Sequence, residues 1–115
     1  MNLNDVARQL DLKVIAPPSD TTREVCGGYA SDLLSCVMAR AGAGALWITL
    51  QSHPNIVAVA ALLDLAGIII TENSPIDPAT ATKATEEGVA LYASPLTTYS
   101  VIARLVEAGI RGIEM

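Results

Sequence analysis

Apolar and polar positions fall into a repeated strand-helix rhythm, clearest from Ala45 to Thr71, ALWITLQSHPNIVAVAALLDLAGIIIT. Ala45 to Leu50 is an apolar run carrying Trp47, Ile48 and Thr49, and Gly67 to Thr71 is β-branched. Both patterns predict strands buried on two faces. Between them Pro54 can open a helix, because its fixed φ and missing N–H cost nothing in the first turn. That helix is expected over Asn55 to Ala66, with Gly67 closing it. Strands joined by such a helix lie parallel with a right-handed crossover.

The same reading extends both ways. Asn4 caps a short predicted helix, Asp5 to Leu10, and Leu12 to Ala16 reads as a strand that Pro17-Pro18 breaks. Glu24 to Ala30 suggests a second strand, in which Gly27-Gly28 marks a bulge or a close backbone approach. Ser31 and Asp32 are good caps for a helix on which Leu33, Leu34, Val37, Met38 and Ala41 recur at helical spacing, ending near Gly42. Downstream, Asp77-Pro78 starts a helix Ala79 to Glu87 that Gly88 stops, and Val89 to Ala93 is another strand. Ser94-Pro95 or Thr97 begins a last helix to about Ala108, followed by a tail, Ile110 to Met115. The expected architecture is α/β: a largely parallel sheet of about five strands, helices on both faces, and one domain over residues 1–115.

The central helix has almost no polar side chain before Asp64. A helix apolar all round must be covered all round. The sheet covers one side, leaving another helix or a second copy of the chain to cover the other; the second copy is favoured, since closed two-fold dimers are the commonest oligomers.

Composition narrows the function. The chain has 115 residues, 51% of them hydrophobic, with no Phe and one Trp, so its packing relies on small and branched side chains. A net charge of −5, with no basic cluster, argues against a nucleic-acid groove or an anionic membrane surface. Cys26 and Cys36 match no metal-ligand spacing and read as small buried hydrophobes in a reducing cytosol. Met1 to Leu10 lacks the apolar core of a signal peptide, and Ile56 to Leu63 is too short to span a bilayer, so a cytoplasmic protein is expected.

The candidate chemistry gathers where strands end. In a parallel sheet the carboxyl ends point one way, toward the edge where open α/β sheets bind ligands. Gln51, Ser52, His53 and Asn55 follow the central strand, Ser31 and Asp32 the one before it, Thr71 and Glu72 the one after, and Ser94 the last. Together they would form a polar crevice; the alternative is that they serve as ordinary caps and turns. His53 beside Pro54 is either such a cap or, with Ser52 and free helix N–H groups, an anion contact. One helix terminus contributes only ~0.3–1 kcal/mol, so other groups must converge for binding. No phosphate-binding loop, nucleophile elbow or metal-ligand cluster occurs, and Lys13 and Lys83 read as surface residues. No catalytic residue, metal or cofactor is therefore expected.

REVCGGYASDLLSCVMARAGAGALWITLQSHPNIVAVAALLDLAGIIIT and GVALYASPLTTYSVIARLVEAGI together resemble the DRTGG domain family, in particular its short stand-alone members. Gly28-Tyr29 with Ser31-Asp32-Leu33-Leu34-Ser35 is the most specific part. The resemblance implies a relation to the N-terminal domain of HPr kinase/phosphorylase, and a regulatory, dimer-forming module like those fused to phosphate acetyltransferases and CBS-containing pyrophosphatases. The family's name-giving residues fall at His53-Pro54-Asn55 and just after Thr71, where this chain has Glu72-Asn73 in place of a glycine pair. The kinase's phosphate-binding loop belongs to a domain this chain does not contain, so the relation implies kinship and not activity. The expectation is a non-catalytic regulatory or ligand-sensing homodimer that binds a nucleotide or phosphorylated metabolite. The alternatives are an interaction module docking on a partner enzyme, and a small enzyme using Asp32, His53 or a cysteine.

Overall fold

The computed structural model describes residues 1–113. The elements follow as α1 (Leu3–Gln9), β1 (Lys13–Ala16), β2 (Gly27–Ala30), α2 (Leu34–Arg40), β3 (Ala45–Thr49), α3 (Asn55–Leu63), β4 (Gly67–Ile70), α4 (Pro78–Glu87), β5 (Leu91–Ala93) and α5 (Thr98–Glu107). The end of the predicted tail, residues 114 and 115, lies outside the described residues.

The five strands form one sheet in the order β1-β5-β4-β3-β2. β2 to β5 are parallel, as expected, and β1 runs antiparallel along β5. The sheet is thus largely parallel, as expected, with β1 the one reversed strand. The segment from Pro17 to Cys26 contains no helix and leads from one sheet edge to the other, so no crossover imposes a parallel β1.

Helices cover both faces. Val37 of α2, Ile56, Val57 and Ala60 of α3 and Ala84 of α4 pack with Trp47, Ile68, Ile70 and Leu91 on one face. Leu3 and Val6 of α1 and Val101 and Leu105 of α5 pack with Leu46, Ile48, Ile69 and Tyr92 on the other. The pleat thus sends Ile68 and Ile70 one way and Ile69 the other, which is why β4 is apolar throughout. Each such Ile or Leu contributes roughly 1.5–3 kcal/mol of burial.

Element ends differ from expectation in physically traceable ways. Asn2, not Asn4, caps α1, in a capping box with Asp5. Glu24 to Cys26 lie outside β2; Glu24 instead bridges Asn2. The close approach expected at Gly27-Gly28 is present, since the Gly28 N–H donates to Arg111 O at 2.8 Å and a Cβ on Gly27 would come 3.1 Å from the same oxygen. Gly67 does not close α3; it opens β4, where a Cβ would sit 3.1 Å from that of Ala90. Asp64 ends the helix instead, in the left-handed conformation (φ +56°), and Arg23 donates to its carboxylate at 2.8 Å and to its carbonyl at 2.7 Å. Cys26 is exposed and Cys36 half-buried, contrary to the buried pair expected, because Cys26 precedes β2 at the sheet's amino end.

The covering of α3 is one-sided. Ile56, Val57, Val59 and Ala60 are buried, while Ala58 and Ala61 are exposed and Leu62 is 71% exposed. Among the described residues, no helix is long and apolar enough to cross a membrane.

Candidate functional site

The carboxyl ends of β2, β3, β4 and β5 meet on one rim, so the loops carrying all the candidate residues lie side by side. Asp32 does not cap α2 as expected. Its Oδ1 accepts from the Thr49 hydroxyl at 2.8 Å and from the Leu50 N–H at 2.7 Å, two donors just where the β3–β4 pairing ends. Ser31 Oγ accepts from the Leu33 N–H at 3.1 Å, leaving Leu33 at the N-cap position of α2 without a side-chain cap. The Ser31 carbonyl accepts from the indole N–H of buried Trp47 at 2.8 Å.

The tip after β3 is tied to both neighbours. Gln51 Nε2 donates to the Asp32 carbonyl at 2.9 Å, and its backbone N–H to Thr49 Oγ1 at 3.0 Å. The Ser52 carbonyl accepts from buried Thr80 of α4 at 2.6 Å, and the Leu50 carbonyl from Ser74 at 3.2 Å. His53 turns Nδ1 onto the Asn55 N–H at 3.0 Å. One nitrogen of the lone histidine therefore satisfies an otherwise orphaned donor of α3, as a cap does.

A second knot joins the ends of β4 and β5. Thr71 and Thr98 share a hydrogen bond of 2.6 Å between hydroxyls, and the Ser94 hydroxyl accepts from the Leu96 N–H at 3.2 Å. The N–H groups of Glu72 and Asn73 donate to the carbonyls of Leu96 and Ser94 at 2.7 and 3.1 Å. These two residues are both left-handed, with φ of +61° and +53°. Glu72 Oε2 accepts from the Thr98 N–H at 3.1 Å, a carboxylate on the first turn of α5 that its dipole favours.

The expected residues are thus brought to one rim, and most spend their polar groups on caps and turns. Among the described residues no buried side-chain polar atom lacks a partner. No hydrogen bond joins Asp32 to His53, and Cys26 lies near Ala43 at the other end of the sheet, so the groups of the enzyme alternative are not assembled. No group of three or more potential metal ligands converges among the described residues.

Topology singles out one place on the rim. β2, β3 and β4 all lead to helices on one face, whereas β5 leads to α5 on the opposite face. Adjacent strands whose following helices part to opposite faces open a crevice between them, and here that place is β4/β5, not the His53 turn. Beside this junction, on the side of β1 and α4, is a depression of about 350 Å³ lined by Asn73, Ser74, Ile76, Ala93 and, from antiparallel β1, Lys13 and Ile15. Sequence reasoning left Lys13 as a surface residue, because nothing in the local pattern reveals that β1 is reversed. A second cavity of about 310 Å³, bordered by Arg23 and Asp64, lies at the opposite end of the sheet, away from every candidate residue.

No protein-family model matches the chain, and no curated protein sequence matches it. Among solved structures, the CBS and DRTGG domains of the regulatory region of a Clostridium perfringens pyrophosphatase, complexed with its activator diadenosine tetraphosphate, superimpose with a TM-score of 0.76 at 11% identity. The match covers 93% of this chain and 46% of that one, so the chain spans about half the neighbour's length. The fold that the sequence implied is thereby found: a five-stranded, mostly parallel α/β sheet with helices on both faces, DRTGG-like in architecture.

Proposed function

We propose that this chain is a non-catalytic regulatory domain that senses a nucleotide or a phosphorylated small molecule at the carboxyl rim of its sheet and works as a cytoplasmic homodimer. The observation that carries this reading is the likeness, over 93% of the chain, to a regulatory region crystallised with a nucleotide activator. The rim supports it, since strand-end loops from four parallel strands hold one another in a fixed arrangement. A preorganised surface binds with less ordering cost than a loose one. The relation to the N-terminal domain of HPr kinase/phosphorylase enters this reading as kinship, with no phosphoryl transfer by this chain.

The dimer half of the proposal rests on α3. Its exposed stripe of Ala58, Ala61 and Leu62, with Met38 of neighbouring α2 at 49% exposed, presents an apolar surface that a two-fold copy can cover. Docking on a partner enzyme through the same stripe is the second reading.

Thermal shift against nucleotides and phosphorylated metabolites tests the sensing half. A ligand at a hundred times its Kd stabilises by about 2.7 kcal/mol, which raises Tm by about 10 °C in a domain of this size. No shift with any of them refutes sensing. Light scattering tests the dimer: a mass of one 12.0 kDa chain refutes it and favours the partner reading.

A further inference from the structure

We propose that the anionic group of the sensed ligand is held by Lys13, in the depression between the β4–α4 loop and the reversed strand β1. This deepens the reading above and rests on it.

The argument begins with charge. The chain carries seven basic residues against twelve acidic ones, so a site for an anion needs a cation placed free of competing carboxylates. Because β1 is antiparallel, its first residue and not its last lies at the rim, and Lys13 stands opposite Ala93 at the carboxyl end of β5. Among the described residues Lys13 makes no ion pair. The two carboxylates of the adjoining loop are engaged elsewhere: Glu72 accepts from the Thr98 N–H on α5, and Asp77 from the Ala79 N–H on α4. Neither lines the depression, which leaves Lys13 its one charged lining group.

Shape and chemistry then define the ligand. The depression, about 350 Å³, falls within the range of small-molecule sites. Asn73 supplies a polar side chain beside Lys13, the Ser74 hydroxyl being given to the Leu50 carbonyl, while Ile15, Ile76 and Ala93 form an apolar wall. A phosphate monoester with a flat, weakly polar body suits that division, the phosphate on Lys13 and the body on the wall. A mononucleotide is the smallest common molecule of this class. The depression adjoins the β4/β5 junction through the β4–α4 loop and Ala93, on the side of β1 and α4.

Titration of the whole, isotopically labelled chain with AMP, with adenosine and with inorganic phosphate, followed by amide NMR, tests this. The expected result is AMP binding that perturbs Lys13, Asn73, Ser74 and Ala93, with adenosine at least tenfold weaker, and with Lys13→Met weakening AMP at least tenfold. Lys13 is exposed, so the variant is expected to keep its fold, and its unperturbed amide spectrum is the check. AMP binding that maps to Ser52–Asn55 and is indifferent to Lys13→Met overturns this inference and leaves ligand sensing at the rim intact. Absence of binding by AMP and by phosphate overturns it as well, and a failed screen against the wider set of phosphorylated metabolites then removes the sensing reading separately. Equal binding of AMP and adenosine overturns the assignment of the phosphate to Lys13.

Discussion

Replacing Asp32 by alanine is expected to lower stability by about 2 kcal/mol. The carboxylate accepts two hydrogen bonds at 2.8 and 2.7 Å, from the Thr49 hydroxyl and the Leu50 N–H. Hydrogen bonds to charged groups contribute about 1.5–3 kcal/mol each when shielded from water. Asp32 is itself exposed, so water can replace part of what is lost, and the loss falls below the sum of two such bonds, to about 2 kcal/mol. Thr49 is only 1% exposed, and its hydroxyl hydrogen would lose its acceptor, which keeps the cost from vanishing. With an unfolding entropy near 2.1 cal/mol/K per residue, about 2 kcal/mol corresponds to a Tm lower by about 8 °C. Urea denaturation followed through Trp47 is a suitable assay, because its indole N–H donates to the carbonyl of the residue beside Asp32. Asp32→Asn keeps an acceptor and should cost about half as much, on the order of 1 kcal/mol. Thr49→Val also takes the acceptor from the Gln51 N–H, so it should cost about 2 kcal/mol alone and about 1 kcal/mol in an Asp32→Ala background, a coupling of about 1 kcal/mol. If the Asp32→Ala loss stays under about 0.5 kcal/mol, or the two changes add without coupling, Asp32 does not clamp the two loops.

Burial raises the Tyr92 phenol above its ordinary pKa of 10.0, so its contribution is complete below pH 10 and is lost as the pH climbs through the raised value. Between pH 8 and 11 the Tm of the wild type should fall more steeply than that of Tyr92→Phe, and parallel curves would refute this. The hydrogen bond and charge of Arg23 hold the Asp64 carboxyl below its ordinary 3.8; that stabilisation is present above the ordinary value and disappears as pH falls through the lowered one. Asp64→Asn, which tolerates the left-handed backbone, should flatten the acid limb of a Tm–pH curve and leave neutral pH nearly unchanged, the pair being exposed. Glu72→Ala removes a cap and keeps the left-handed strain, for a loss of about 1 kcal/mol. Glu72→Gly loses the same cap and relieves the strain, so its net change should be about zero in urea melts, and equal losses for the two variants would refute the argument.

What could be read in the sequence was whatever depends on local periodicity. The apolar runs of β3 and β4 and the Asp77-Pro78 start and Gly88 stop of α4 stand where the residues put them. What could not be read depends on long-range partners. Ser31 and Asp32 have good capping side chains, but the donors at the end of β3, seventeen and eighteen residues on, take Asp32 away. Gly67 has the chemistry of a helix stop, yet the approach of Ala90 from β5 gives it another task. The reversal of β1 is invisible in a four-residue run, and with it the arrival of Lys13 at the rim. That these residues share one rim was legible, and the bonds they make there were not, because caps and ligand contacts draw on the same residue types.

The Glu72-Asn73 pair shows how the rim holds together. The resemblance places a glycine pair here, and both residues have positive φ, where glycine is at ease and glutamate is not. Two non-glycine residues keep this conformation because the backbone bonds of Glu72 to Leu96 and of Asn73 to Ser94 hold the turn from across the β4/β5 junction. The Glu72 side chain places a carboxylate on the first turn of α5, where a smaller residue would leave the Thr98 N–H without it. An incoming anion on that side would meet Glu72 and be repelled. On the other side of the same loop stands Lys13, with no carboxylate lining the depression beside it. Glu72 thus disfavours negative charge on the α5 flank of the junction, and the β1 flank beside Lys13 is where the proposed phosphate would approach.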